Sequence, residues 1–223
     1  MTVLYEWPKQ AAFMRPVPKS KIYDYARPSR AVKDRFVSEV DKIIWQYKLA
    51  PETINIAVKP AVPEIQIFGI SLKTKVLSDT VLRTIDKAIS FPIFYELTFE
   101  KQIKITAAYK RPSEADSRKW VVGAYFESPW FAVEFPRERL PLALDMEKLY
   151  EHMLRPLMPL PPKGMESLKA HAERLENIQN KQKELGKLET RLQREQQFNR
   201  KVEINAQLRA LKNELEALST GQV

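Results

Sequence analysis

Cysteine is absent from the 223-residue chain, histidine occurs twice and glycine five times. Without cysteine there is no disulfide, thiol nucleophile, iron–sulfur cluster or cysteine-based zinc site, a composition that fits a reducing cytoplasm. Two histidines, His152 and His171, are too few for a three-histidine metal site. No two glycines have the spacing of the phosphate-binding loops of ATPases, kinases and dinucleotide enzymes. We therefore expect a binding or scaffold protein without a cofactor or metal, although an enzymatic activity stays open.

Long apolar runs are also missing, and the charge is unbalanced. No run approaches the ~20 residues of a transmembrane helix, and the first residues lack the pattern of a signal peptide. We expect a cytoplasmic protein that does not contact the membrane. The net charge is +9, from 37 basic and 28 acidic residues. This charge favours anionic partners, nucleic acid first.

Periodicity predicts an N-terminal domain of mixed secondary structure. Apolar residues at helical spacing predict a helix over residues 31–47, which Pro51 ends. Four prolines divide residues 1–28 into short segments, with one helical turn expected at 9–14. The remaining expected elements are a strand at 63–73, a helix at 79–89, strands at 92–99, 102–109 and 120–126, and a helix at 145–154. The strands at 92–99 and 102–109 would form a hairpin, and residues 110–119 a polar loop. These elements predict an α+β domain, a mixed or antiparallel sheet with flanking helices, over residues 1–155.

Residues 156–164 contain four prolines and predict a semi-rigid linker. Residues 165–223 lack proline, and their apolar residues recur every three or four positions, which predicts a coiled coil. The repeat loses its phase between Leu192 and Ile204, so the segment 194–201 predicts either a stutter in one helix or a hairpin bend. A single straight helix would be about 80 Å long. Its apolar seam needs a hairpin mate, a second copy of the chain or another protein. The predicted partner-binding residues are Leu185, Leu192, Phe198, Ile204, Leu208, Leu211 and Leu215.

Few residues of the sequence match the pattern of a catalytic site. Neither histidine has an obvious serine or aspartate partner for a nucleophilic triad. A Mg²⁺-dependent nuclease needs only carboxylates and a lysine near strand ends. The residues that fit this pattern loosely are Glu39, Glu64, Glu96 and Lys104.

Two basic segments interleave cations with aromatic residues, as nucleic-acid-binding surfaces do. Residues 15–35 carry seven basic residues against two acidic ones, together with Tyr23 and Tyr25. Residues 109–120 carry a basic pair and an aromatic residue at each end. The candidate phosphate contacts are Lys19, Lys21, Arg27, Arg30, Lys33, Lys110, Arg111, Arg118 and Lys119.

Four strings of sequence resemble the bacterial domain of unknown function 4391 family: VPKSKIY at 17–23, WQYKLAPETIN at 45–55, AYKRPSEAD at 108–116 and QFNRKVEIN at 197–205. The resemblance covers nearly the whole chain. It implies no activity and no catalytic residue. It implies genes that lie beside helicase and DNA-methyltransferase genes of anti-phage defence clusters, which is an association and not a mechanism.

Three functions remain open at this point. The first is a non-catalytic accessory subunit of a DNA-processing defence assembly, which docks a helicase or DNA methyltransferase through the coil, pairs with itself, and contacts nucleic acid through its basic patches. The second is a divergent Mg²⁺-dependent nuclease. The third is a structural homo-oligomer whose charge only confers solubility.

Overall fold

A computed structural model describes residues 3–116 and 119–220. The chain divides into two compact units, Met1–Met158 and Pro159–Val223. The division lies within the proline-rich segment.

The N-terminal unit is an α+β fold around a mixed sheet. Its strands are β1 (Tyr5–Glu6), β2 (Ala12–Pro16), β3 (Val40–Leu49), β4 (Ile65–Leu72), β5 (Ile93–Phe99), β6 (Gln102–Pro112), β7 (Trp120–Glu127), β8 (Phe131–Ala132) and β9 (Glu138–Arg139). Its α-helices are α1 (Lys19–Ala26), α2 (Arg30–Glu39), α3 (Pro51–Ile54), α4 (Asp79–Ala88) and α5 (Met146–Leu154), and 3₁₀ turns occur at Lys9–Ala11 and Arg155–Leu157.

The main sheet has the order β2-β3-β4-β5-β6-β7, and β8 pairs with β6. Strands β4 and β5 are parallel, whereas every other neighbouring pair in this sheet is antiparallel. Helix α4 makes the crossover between the two parallel strands. The expected α+β class with a mixed sheet is confirmed. The amino-terminal ends of β4 and β5 therefore share one edge of the sheet with the end of α4.

Burial explains why β4 lies at the centre. All but one residue of the strand are buried, because helices cover one face and α5 lies near the other. Helix α4 turns Val81, Leu82 and Ile85 towards the sheet, as its helical spacing predicts. Helix α4 and strand β4 thus contribute to one apolar core, and its removal from water stabilises the unit.

The helix predicted over residues 31–47 is wrong in its second half. Helix α2 ends at Glu39, and the chain continues directly as β3, which pairs with β2 and β4. The apolar spacing suits either structure, but Val40, Ile43 and Trp45 are of types that favour strands. Hydrogen-bonded pairing of β3 with β2 on one edge and β4 on the other then stabilises the strand over the helix.

The proline-rich start of the chain is also more ordered than predicted. Helix α1 forms where no element was predicted, directly after Pro18, and ends at Arg27, whose φ of 49° is left-handed. The predicted helical turn at 9–14 is a 3₁₀ turn followed by strand β2.

Strand β6 runs three residues further than predicted, to Pro112, so the polar loop begins later. The extension carries Lys110 into the interior, where the residue is 1% exposed. Its Nζ donates to the Asp86 carboxylate at 3.0 Å, to the Asp86 carbonyl at 2.8 Å and to the Ile89 carbonyl. All three ammonium protons are thereby satisfied, and two of them saturate carbonyls at the C-terminal end of α4. Burial lowers the pKa of Lys110, and the facing carboxylate opposes that shift.

The C-terminal unit is a pair of antiparallel helices. Helix α6 (Leu168–Arg194) and helix α7 (Phe198–Thr220) are separated by residues 195–197. Ion pairs join Lys181 to Glu214 and Glu189 to Lys212 across the two helices. The hairpin alternative is therefore correct and the straight rod is wrong. The mate that the apolar seam requires lies in the same chain.

We predict that Lys110→Met destabilises the N-terminal unit by about 3–5 kcal/mol, because Asp86 and the end of α4 lose a buried cation. Urea unfolding followed by tryptophan fluorescence measures this unit alone, since all four tryptophans precede residue 159. The control is Lys87→Met, an exposed lysine on α4. Equal unfolding midpoints for the two variants would contradict the structural role of Lys110.

A second prediction concerns acid stability of the helical hairpin. Arg174 donates to the Glu166 carboxylate at 2.9 Å and lowers the pKa of Glu166 to about 2. A carboxyl group whose pKa is lower in the folded than in the unfolded chain stabilises the fold at pH values above its unfolded pKa, about 4.3 for glutamate. This contribution is lost as the pH falls towards 2.

Glu166→Gln should therefore lower the stability of the hairpin at pH 6, by on the order of 1 kcal/mol, and have little effect near pH 2. Thermal unfolding followed by far-UV circular dichroism measures this, with the exposed Glu184→Gln as control. A loss of the same size at both pH values would show that the ion pair is not responsible.

Candidate nucleic-acid interface

The two basic segments meet at the amino-terminal edge of β4 and β5. Helix α1, from the first segment, packs against α4. The second segment ends at Trp120, which begins β7 and pairs with Pro112 on β6. Because the antiparallel register places the end of β6 beside the start of β5, Trp120 reaches the same edge as the end of α4.

A first cavity of about 400 Å³ lies between α1 and the sheet. Aromatic side chains supply much of its wall, and the polar side chains that line it are few. The lining residues are Val17, Lys21, Ile22, Tyr25, Trp45, Gln66, Phe68, Ala88, Ile89, Ser90 and Phe91. Tyr25 is 75% exposed and has its ring available to solvent.

A second cavity of about 490 Å³ is more polar and more basic. It is lined by Arg83, Asp86, Lys87, Ser90, Lys119, Trp120 and Val122. Lys119 is 77% exposed in its side chain and lies 3.6 Å from Asp116. This cavity combines three basic side chains with the edge of an indole ring.

The two cavities adjoin at the turn that follows α4. Ser90 lines both of them. The ring of Phe91, in the first cavity, lies 6.1 Å from the ring of Trp120, in the second. We call Lys21, Tyr25, Lys87, Phe91, Lys119 and Trp120 the aromatic–basic surface.

Asp86, the acidic residue that lines the second cavity, is paired with buried side chains. Asp86 is 4% exposed and receives Lys110 on one carboxylate oxygen and the Tyr125 hydroxyl on the other, at 2.5 Å. Burial, together with the Asp86 charge, holds the pKa of Tyr125 well above its usual value. Arg83 stacks over the Tyr125 ring at 5.4 Å and donates to the Val122 and Gly123 carbonyls. The accessible charge of this cavity is therefore positive.

The residues predicted to contact phosphates differ in their exposure to solvent. Lys21, Arg27, Arg30, Lys33 and Lys119 are exposed, and the Lys33 ammonium lies 5.4 Å from the centre of the Tyr23 ring. Arg118 lies outside the described residues. Arg111 is half-buried and 3.7 Å from Glu114.

Two of the predicted contacts serve the fold instead. Lys110 is buried as described above, so the expectation that it lies in an exposed loop is wrong. Lys19 donates to the carbonyls of Phe36 and Val40 at 2.8 and 2.5 Å, where helix α2 passes into β3. Desolvation, followed by the neighbouring Lys73, lowers the pKa of Lys19.

The four catalytic candidates lie in separate places. Glu39 is at the carboxyl end of β4, since the adjacent Val40 pairs with Leu72, whereas Glu64 precedes the amino end. Eight residues of extended strand separate these ends by roughly 25 Å. A shared metal ion requires oxygens within about 2.1 Å of it. The expectation that Glu39 and Glu64 share a metal site is therefore wrong.

Each candidate also has a structural partner. Glu39 accepts from the backbone N–H of Ser78 at 2.7 Å, at the start of α4, and Glu64 lies 3.4 Å from Lys48. Glu96 is 4% exposed and accepts from Arg137 at 2.7 Å and from Trp7 at 2.8 Å. Lys104 lies 2.6 Å from Glu127. Within the ranges 3–116 and 119–220, no three His, Asp or Glu side chains are placed to hold a metal ion.

The predicted partner-binding residues are mostly enclosed in the helical hairpin. Ile204, Leu208 and Leu211 are buried, and Leu185, Leu192 and Leu215 are half-buried. Phe198, at the start of α7, is 77% exposed, and Val202 one turn later is 54% exposed. Only these two present a large apolar surface to solvent near the bend.

Sequence reasoning missed Arg83, Lys87, Gln66 and Phe91. The two cations lie on the polar side of an amphipathic helix, which is ordinary for a solvated face. Gln66 lies in the strand predicted over residues 63–73, and Phe91 immediately precedes the strand predicted over residues 92–99. Only the sheet register shows that these residues border the basic segments.

Comparison with known proteins gives a family but no activity. The family model described as Domain of unknown function (DUF4391) matches residues 6–215, and the chain belongs to this family. No curated protein and no solved structure matches the chain. None of the helices in the described part of the chain has the length and apolar character needed to cross a membrane.

Proposed function

We propose that the N-terminal unit binds single-stranded nucleic acid on the aromatic–basic surface. The observation that carries the proposal is the meeting of two basic, aromatic segments, far apart in sequence, on either side of Ser90 and Phe91. Cationic side chains beside accessible rings are what a single strand requires, since phosphates take the cations and unpaired bases stack on the rings.

The charge of the surface supports the same function. Lys21, Lys87 and Lys119 are exposed, whereas Asp86, the carboxylate that lines the second cavity, is paired internally with Lys110. The net charge of +9 adds a long-range attraction for a polyanion. A duplex would offer phosphates but no free base faces to Tyr25 and Phe91, so we favour a single strand.

The wider role that we propose is that of a non-catalytic accessory subunit in a DNA-processing, anti-phage defence assembly. The family resemblance implies genes beside those of helicases and DNA methyltransferases, and on that association we propose these proteins as the partners. A partner would dock at the bend of the hairpin, where Phe198 and Val202 are exposed. Self-association at the same place is the alternative.

Binding should be strongly salt-dependent. For a single strand, the logarithm of the affinity falls with the logarithm of the salt concentration with a slope of about −0.7 per neutralised phosphate. We predict that Lys21→Glu/Lys119→Glu, one change in each segment, weakens binding at least about tenfold and reduces the slope by about 1.4. Fluorescence anisotropy with twelve-nucleotide thymidine and uridine oligonucleotides, between 50 and 200 mM salt, measures both quantities.

The matched control is Lys42→Glu/Lys101→Glu. These exposed lysines lie at the opposite edge of the sheet, so the net charge changes equally while the aromatic–basic surface is intact. Equal losses in the two double variants would mean that binding is non-specific. No binding by the unaltered chain at 50 mM salt would favour the structural homo-oligomer.

Partner docking has a separate prediction. Phe198→Glu/Val202→Glu should abolish co-purification with the neighbouring helicase or methyltransferase, because charged side chains cannot be buried unpaired. The control is Glu184→Gln/Glu203→Gln, two exposed positions of the same helices. Retained co-purification in the apolar-site variant would contradict docking at the bend.

A further inference from the structure

We infer that the first cavity is a binding pocket for one unpaired nucleobase of the bound strand, held between aromatic side chains and hydrogen-bonded by Gln66. The inference rests on the proposed function and adds the part of the ligand that the pocket recognises. The size of the cavity, its lining and an unsatisfied polar group support it.

The size and lining suit a planar heteroaromatic group. The volume of about 400 Å³ lies within the range of roughly 300–1,000 Å³ for small-molecule sites. Tyr25 stands at the solvent side, and Trp45 and Phe68 continue inward with their rings nearly parallel, at an interplanar angle of 13°. Phe91 closes the side that faces the second cavity. Bases bind to such platforms because every base has a π-face.

Gln66 supplies the polar group that a base edge needs. The residue is 3% exposed, and its Oε1 has no hydrogen-bond partner within the described part of the chain. Its Nε2 donates to Glu64, which in turn lies 3.4 Å from Lys48, so the amide is fixed with the nitrogen directed at the carboxylate. A buried acceptor without a donor is costly. An N–H group on the edge of a base would satisfy it.

The adjoining second cavity explains why the occupant belongs to a strand. Its lining of Arg83, Lys87 and Lys119 suits phosphates, whereas the first cavity offers aromatic walls and few polar groups. Because Ser90 lines both cavities, a base bound in the first cavity would place the sugar–phosphate backbone of its strand beside the cations of the second. A free apolar metabolite would use the first cavity and gain nothing from the second.

The test compares a twelve-nucleotide thymidine oligonucleotide with an abasic dodecamer of the same charge. The unaltered chain should bind the thymidine strand about 5- to 150-fold more tightly, the range expected for stacking of a base. Tyr25→Ala, at an exposed position, should remove most of this ratio without a folding defect. Gln66→Leu should reduce it by about 2- to 10-fold, the value of one hydrogen bond. Phe135→Ala, at an exposed aromatic position outside the aromatic–basic surface, should leave the ratio unchanged.

Each result decides a different point. Equal binding of the two strands overturns the base pocket and leaves the phosphate-binding function standing. A high ratio that Tyr25→Ala and Gln66→Leu leave unchanged also overturns it, because the bases then stack elsewhere. Failure of the unaltered chain to bind either strand overturns the proposed function and the pocket together.

Discussion

The buried ammonium of Lys110 is the interaction on which the N-terminal unit and its candidate site depend. It joins β6 to the end of α4 by binding two helix carbonyls and the Asp86 carboxylate. This end of α4 leads directly to Ser90, which lines both cavities, and to Phe91, which lines the first. A buried charge with three well-placed acceptors tolerates little displacement, because each lost contact leaves a polar group desolvated. The same contact also neutralises Asp86, the carboxylate that lines the second cavity.

The fold follows from the sequence where local pattern and tertiary packing agree. The strand at β4, the helix at α4, the β5–β6 hairpin and helix α5 were all predictable, because the spacing of apolar residues in each fits one type of secondary structure. Strand β3 was not, since residues 40–47 satisfy a helical spacing as well as a strand spacing. Only pairing with β2 and β4 distinguishes the two, and pairing partners are not visible in a local window.

The candidate site was only partly predictable, because its residues also come together through long-range pairing. Two segments rich in cations and aromatic rings were evident, but their meeting at one edge of the sheet depends on register and on the crossover through α4. Composition also misassigned Lys110 and Lys19, because a lysine that binds carbonyls looks the same in sequence as one that faces solvent. The carboxylates had the reverse problem: Glu39 and Glu64 were expected to share a site near strand ends but are separated by the length of β4.

Photochemical crosslinking of the twelve-nucleotide thymidine strand to the full chain, followed by mass spectrometry, tests the central claim most directly. The account predicts crosslinked peptides that contain Tyr25, Phe91 or Trp120, from the two segments and the turn between them. Crosslinks confined to residues 159–220, or to the opposite edge of the sheet around Lys101, would contradict it.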